Sequence, residues 1–565
     1  MSDEKTTATY ESHTKQDSMS STSSQSIEQI SSPTKSEPKK KSWFKMKNLF
    51  EKVEDRPTPP QVYNYRIYMT AIMASAAAII IGYDGGFIGG TVALDSFKNE
   101  FGLDKSAHSS FIISNVISVF HAGCFFGALF SYPFSFYLGR RIPLIFAAFL
   151  ITAGSGIMLA ANSSVGLGPI YAGRVMAGVA VGFSTNLTVV YISEIAPPAI
   201  RGQLTSSYEL VGELVILLGF GSTMGLTRIF SKESPRWLMQ VGRYDEAIKN
   251  LTWFRQLPED DEYIVYEVNQ VKESIEEQKQ KIGLGIMDPF YEVFFNNKLV
   301  LRRLLITMTI YVVCNFLGIQ SINYYSPILF QGLGVKGTNA SLFSTGMFGV
   351  VKFICTFIYI LFIVDTVGRR KAFMASSTVC SLCFWYIGAY LKLNDPTKPG
   401  VSAGPGGKAA IAMMYIWIAS FILAWSGGPF VVGSEVFDQN IRSFVQAINA
   451  AMSWVPIFIM SRFTTNMIRA MDYGIYFFFA ALAVATIPFL FFCLPETKGI
   501  ALEDMDRLFS PELPAWRAHD ILMKRVQHET EEVFHENHKH GLFEAVDNKP
   551  VSENVEDILV NKEEK

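Results

Sequence analysis

The chain has 565 residues, 49% of them apolar and 13% aromatic, and only 18% charged, against about 25% charge in an average water-soluble protein. Lys and Arg number 49 and Asp and Glu 51, a formal net charge of −2, which excludes a generally basic nucleic-acid binder. Cys124, Cys314, Cys355, Cys380, Cys383 and Cys493 all lie in apolar runs. They lack metal-ligand spacing and read as buried thiols, not as a disulfide framework, so no metal or cofactor is expected.

Residues 1–65 are rich in Ser, Thr, Lys and Glu and end in Glu54-Asp55-Arg56-Pro57-Thr58-Pro59-Pro60, the composition of a disordered tail with no apolar stretch near Met1 for a cleavable signal. Apolar stretches close to the ~20 residues that cross a bilayer follow at 66–86, 110–137, 143–161, 168–193 and 204–227. A polar block at 231–300 carries helical charge patterning (Glu273, Glu276, Glu277, Lys279). Six more apolar stretches lie at 303–329, 341–364, 372–391, 409–433, 443–462 and 474–494, before a polar tail at 497–565. In lipid only helices and closed barrels satisfy every backbone group, and runs this long are helices. The prediction is an all-α polytopic membrane protein: a tail at 1–65, a first half at 66–230, a linker of short cytoplasmic helices at 231–300, a second half at 301–496 and a tail at 497–565. Arg140-Arg141, Arg201, Arg302-Arg303 and Arg369-Arg370-Lys371 sit at segment ends, and Lys39-Lys40-Lys41 precedes the first span. The positive-inside rule puts these, and the N-terminus, in the cytoplasm.

The halves repeat one another. Gly139-Arg140-Arg141 matches Gly368-Arg369-Arg370; Glu194 precedes Arg201 by seven residues, as Glu435 precedes Arg442; Glu233-Ser-Pro-Arg236 answers Pro495-Glu496-Thr-Lys. Weak repetition with fixed charged marks is the pattern of a transporter built from parallel halves. Arg442 to Glu496 is 54 residues and Arg201 to Glu233 only 32, a shortfall of about one span. The sixth span is therefore expected to be missing or curtailed, leaving eleven.

In chain order, Gly82-Tyr-Asp84-Gly-Gly-Phe-Ile-Gly89, Leu138-Gly-Arg-Arg141, Gly173-Arg174-Val-Met-Ala-Gly178, Tyr191-Ile-Ser-Glu194, Arg201-Gly202, Glu233-Ser-Pro-Arg-Trp-Leu238, Asn323-Tyr-Tyr-Ser-Pro327, Asp365-Thr-Val-Gly-Arg-Arg370 and Pro495-Glu-Thr-Lys-Gly499 resemble the sugar porter family of the major facilitator superfamily. Glu54–Pro59 and Ala196–Gly202 look most like its fungal quinate permease and monosaccharide transporter branch. The resemblance implies two six-helix halves rocking about a central site. It implies a cytoplasmic gate of Arg140, Arg141, Glu194, Arg201, Glu233, Arg236, Arg369, Arg370, Glu435 and Arg442, though Phe136 stands where the family's first motif has an acid. It also implies that Asp84 takes up a proton and partners Arg174. Of the amides that grip sugar on the seventh span, only Asn315 and Gln320 remain. Tyr325, Ser453 and Trp454 complete the expected path, and Phe430 replaces the usual tryptophan of the tenth span.

Three charges exceed what a neutral sugar needs. Glu209 and Glu213 are four apart, on one face of the fifth span, and Lys352 lies within the eighth. Lys352 is expected to meet the carboxylate of an anionic polyol or to neutralise one of these glutamates. His121, in the second span, reads as a hydrogen-bonded packing residue. The expected activity is proton-coupled transport of a monosaccharide across the plasma membrane by a monomer, with quinate as the alternative substrate. A nutrient sensor with a transporter fold, or a truncated product that does not transport, are the rival readings. No constellation points to an enzyme.

Overall fold

The computed structural model describes residues 58–75, 88, 91–92, 95–103, 109–197, 200, 203–208, 210–211, 232–283, 285–333, 338–363, 367–394, 404–498, 500 and 505–525. Among them, nine helices are long and apolar enough to cross a membrane. They coincide with the second to fourth and the sixth to eleventh apolar stretches of the sequence, the latter being spans seven to twelve of a twelve-span frame. The first stretch is described only as α1 (Tyr65–Ser75), and most of the fifth lies outside the described residues.

In the first half, α2 (Ser109–Leu138), α3 (Arg141–Met158) and α4 (Gly168–Ile195) pack side by side. Gly123 and Gly127 on α2 face Gly178 and Gly182 on α4, and a Cβ at any of the four would run into the opposite backbone. Small residues four apart are how membrane helices approach closely without a hydrophobic driving force. The linker folds into α5 (Pro235–Gln240), α6 (Tyr244–Arg255) and α7 (Glu262–Lys281) around a small core that includes Trp237, Leu251 and Ile264. Ser234 caps α5 and Asp261 caps α7. Arg255 is buried, paired with Glu267 at 2.6 Å, and donates to the Ile195 carbonyl at 2.9 Å. The linker is thereby tied to the last turn of α4.

The second half holds α8 (Lys298–Phe316), α9 (Ile319–Gly332), α10 (Thr338–Ile358), α11 (Arg369–Leu393), α12 (Pro405–Phe421), α13 (Gly428–Glu435), α14 (Gln439–Met471) and α15 (Gly474–Cys493). The seventh span is broken between α8 and α9 at Gly318, whose φ of +95° is a left-handed conformation that only glycine adopts freely. The tenth span is likewise interrupted, by a π turn at Ile422–Ser426 between α12 and α13. Broken helices in a membrane protein mark backbone that lines a cavity. Trp417, Trp425, Phe373 and Phe384 fill the core of this half. The halves meet along α2 and α14, where Phe120, Cys124 and Ala128 pack on Ala450, Ala451, Trp454 and Ile457. Phe126, Phe130, Phe149, Leu382 and Phe492 stay exposed on the outside, as lipid-facing residues do. All six cysteines are free; Cys314 and Cys493 are only half-buried, because each lies near the end of its helix.

Candidate functional site

Two clusters of polar residues stand out in this apolar bundle. The first is a paired latch at one end. In the first half, Glu233 sits under the turn between α2 and α3, where its two carboxylate oxygens accept from the backbone N–H groups of Arg140 (2.9 Å) and Arg141 (3.1 Å). The Arg140 guanidinium binds Glu194 at the end of α4, Nη2 to Oε1 at 2.7 Å and Nε to Oε2 at 3.0 Å. The Ser234 hydroxyl closes the set on Glu194 Oε2 at 2.6 Å. Gly139 has φ +80°, and a Cβ there would lie 2.7 Å from Glu233 Oε2. The second half repeats the plan with fewer contacts, since Glu496 Oε2 is buried without a hydrogen-bond partner among the described residues. Arg369 N donates to Glu496 at 2.7 Å, its guanidinium binds Glu435 at 2.6 Å, and Thr497 donates to Glu435 at 3.1 Å. Gly368 has φ +86°, with a Cβ position 2.6 Å from Glu496.

Such bidentate, charge-assisted contacts are the strong ones, and here they are sheltered from water. They cross the halves at Arg140, whose Nη2 also reaches Ser443 on α14 at 3.4 Å, and Tyr132 stacks edge-on against Phe444 at 5.2 Å. Of the other gate residues named from the sequence, Arg442 is buried and donates to the Phe437 carbonyl. Arg370 donates to the Phe491 carbonyl over its ring, and Arg236 donates to Ser274 on the linker. Arg201 lies outside the described residues.

The second cluster lies at mid-span, around the break in the seventh span. Asn315 donates to the carbonyls of Tyr311 (2.9 Å) and Ser453 (3.4 Å), and accepts from Gln320 at 3.0 Å. Ser453 donates to Ala450 O at 2.7 Å. The Tyr325 hydroxyl donates to the Ser461 carbonyl at 2.9 Å, tying α9 to α14. Tyr311 donates to Gln446 at 3.3 Å and packs on Phe430, rings 5.3 Å apart. A Cβ on Gly433 would stand 2.9 Å from Gln446, so that glycine keeps the space open. Asp84, Glu209 and Glu213 lie outside the described residues. Arg174 is buried, stacks over Phe120 at 5.1 Å and donates to Ile117 O. Lys352 is 4% exposed, near the centre of its span, residues 346–363.

The sequence reading passed over Gln446 and Asn449. With Ser453 they fall at i, i+3 and i+7 on α14, one face of a helix, and that spacing was the available signal. The Gln446 and Asn449 amide nitrogens and the Trp454 indole N–H are buried donors with no acceptor. Buried donors in native structures are nearly always satisfied, so the Gln446 and Asn449 donors on one face, with Trp454 beside them, suit a ligand that brings oxygens. His121 holds the two halves together at this level. Its Nε2 meets the Tyr324 hydroxyl at 2.8 Å, its Nδ1 the Ser461 hydroxyl at 3.1 Å, and its ring stacks on Trp454 at 5.9 Å.

Two pseudo-repeated helical halves, latched at one end and lined with polar groups between, define a membrane transporter of the major facilitator fold. The chain belongs to the sugar (and other) transporter family, which its residues 70–232 and 220–509 match. It is 43% identical over 530 residues to a probable quinate permease of Aspergillus flavus, covering 88% of this chain and 98% of that one. It is also 43% identical over 511 residues to a quinate permease of Emericella nidulans, covering 85% and 95%. Among solved structures, it is similar to the proton:xylose symporter XylE bound to 6-bromo-6-deoxy-D-glucose (TM-score 0.65, 22% identity, 79% of this chain and 99% of that one). The inward-open form of XylE from E. coli has a TM-score of 0.58 at 21% identity, covering 79% and 100%. These structures carry the fold, and the family is one of carriers, not enzymes.

Proposed function

We propose that the chain is a plasma-membrane carrier for an anionic polyol of the quinate type, moved together with a proton. The observation that carries this is Lys352, a buried ammonium near the centre of the eighth span. An ionisable group at that depth is expensive and by default functional, and a neutral sugar brings no charge to offset it. The donor row of Gln446, Asn449 and Trp454 fits the same ligand, since a carboxylate and ring hydroxyls supply acceptors. The names of the relatives agree. In this reading Glu209, Glu213, Asn315, Gln320, Tyr325 and Ser453 line the path with Lys352 and Trp454. Asp84 titrates against Arg174, and the latch closes the cytoplasmic end, which the Arg-rich turns place inside. Rocking of one half against the other alternates access.

The test is uptake of labelled quinate, xylose and glucose by a fungal host lacking its own carriers, with and without a protonophore. Saturable quinate uptake that collapses with the protonophore is expected. Lys352→Gln should cut quinate uptake at least tenfold more than any sugar uptake; equal loss for both removes the role of Lys352, and preference for a neutral sugar removes the quinate reading.

One observation favours a second reading, a product that folds but does not transport. The family match falls in two pieces that meet at residues 220–232, within the stretch too short for two spans. Both flanks of that stretch sit at the same end of α4: Ile200 and Leu204 pack on Tyr191 and Ile195, and the Tyr191 hydroxyl donates to Lys232 O at 2.6 Å. Splicing in the missing length, about one span, from a quinate permease distinguishes the two. Uptake gained only by the spliced chain establishes this second reading, and uptake by the unspliced chain removes it.

A further inference from the structure

The apolar stretch of the eleventh span, 443–462, ends at Arg462, where a charge marks the edge of a span. The structure corrects this. Helix α14 runs on to Met471, nine residues or about 13 Å further. Arg442, in the latch, lies twenty residues before Arg462, or about 30 Å. Arg462 is therefore inside the bundle, towards the end opposite the latch, which the proposed orientation makes the outer end. It follows Ser461, the residue that meets His121, and precedes Thr465, which meets Ser114 on α2 at 3.4 Å. Its guanidinium lies over the face of Phe111, at the start of α2, 4.2 Å from the ring centroid. One element of each half, α2 and α14, thus meets at this cation.

No carboxylate pairs with Arg462 among the described residues, and its Nη1 is buried without an acceptor. A snorkelling arginine would carry all its nitrogens to water, whereas this one is half-buried with one prong turned inward. An unmet guanidinium N–H in a sheltered site is costly and is the natural partner of a carboxylate, which it can grip by two parallel hydrogen bonds. We propose that Arg462, stacked on Phe111, is an outer docking point for the carboxylate of an anionic polyol, which it receives before the ligand passes inward toward Lys352. This rests on the quinate-type reading above and adds a second cation to the path. A stacked guanidinium ahead of a buried ammonium draws the anion in stepwise and discriminates against uncharged rings at the mouth.

The experiment compares quinate with its methyl ester, which keeps the ring and hydroxyls and loses the charge. Initial rates of labelled quinate uptake are measured for the unaltered protein and Arg462→Gln, normalised to the amount at the cell surface, with the ester as competitor. The half-saturating concentration of quinate should rise at least tenfold in Arg462→Gln, the maximal rate should stay within twofold, and the potency of the ester should not change. A parallel loss for quinate and ester assigns Arg462 a packing role and overturns the proposal, as does a quinate affinity within twofold of the unaltered protein. Should Arg462→Gln fail to reach the surface, Arg462→Lys carries the same comparison. Keeping the charge while losing the two-pronged grip, it should weaken quinate by about threefold and leave the ester unchanged. Absence of quinate uptake by the unaltered protein removes the quinate reading and this inference together, whereas uptake that is indifferent to Arg462 removes this inference alone.

Discussion

The two latches are the same device built twice, and they differ in how well each is sheltered. In the first half the Arg140 and Glu194 side chains are 6% and 8% exposed; in the second, Arg369 and Glu435 are 9% and 24% exposed. The first is also reinforced from outside its own helices. The Trp237 indole of the linker donates to the Phe136 carbonyl at 3.2 Å, at the position where the family's motif has an acid; the corresponding Asp365 of the second half lies outside the described residues. A linker contact thus stands where the resemblance implies a charge. The comparison teaches that the recurring unit is not a sequence string. It is a geometry in which a left-handed glycine turns backbone N–H toward one carboxylate, two groups in the first half and one in the second, and an arginine toward another.

Breaking the arginine–glutamate pairs should separate the halves most. Arg140→Gln strands a buried carboxylate on Glu194, at a cost of about 3–5 kcal/mol, whereas Arg369→Gln leaves Glu435 partly solvated and should cost about 2–3 kcal/mol. Thermal unfolding of the detergent-purified variants measures this, and equal shifts would break the asymmetry. The double variant Arg140→Gln/Glu194→Gln should recover most of the loss, since no uncompensated charge remains. Next in size are Gly139→Ala and Gly368→Ala. Their φ angles of +80° and +86° cost an L-residue about 1–2 kcal/mol, and the new methyl group displaces the carboxylate beneath it in each case. These two should be equal, and a difference between them would show that one turn relaxes more than the other.

Much of this was legible in the sequence because charges are sparse in a membrane protein. Glu194, Glu233 and Glu435 recur at matched places beside Gly-Arg-Arg and were named as gate residues, whereas Glu496, which takes the place of Glu233 in the second half, was noted in the repeat and left out of the gate. The described spans coincide with apolar runs for the same reason: in lipid, length and hydropathy leave few alternatives. The interruption at Gly318 was hidden inside a continuous apolar run, since hydropathy does not register backbone handedness. Gln446 and Asn449 were hidden because the apolar residues around them keep the helix apolar enough to cross a membrane, and amides carry no charge to mark the repeat. The partners of His121 could not be read at all, since Tyr324 and Ser461 lie 203 and 340 residues away. Arg462 was misplaced because a charge at the edge of an apolar run looks like its end, and the nine residues beyond it were too polar to count as membrane.

The hydroxyls that finish each latch offer the finest comparison. Ser234 donates to Glu194 at 2.6 Å and Thr497 to Glu435 at 3.1 Å. Hydrogen bonds to a charged group contribute about 1.5–3 kcal/mol when buried, and the shorter, better-sheltered one belongs at the upper end. Ser234 also caps α5, its oxygen accepting from Trp237 N at 3.4 Å, which adds about 1 kcal/mol. Ser234→Ala should therefore destabilise the protein by about 3–4 kcal/mol, and Thr497→Val, which keeps the shape and has no cap to lose, by about 1.5 kcal/mol. If both cost the same in thermal unfolding, the linker does not strengthen its own latch, and the difference between the halves reduces to the exposure of Glu435.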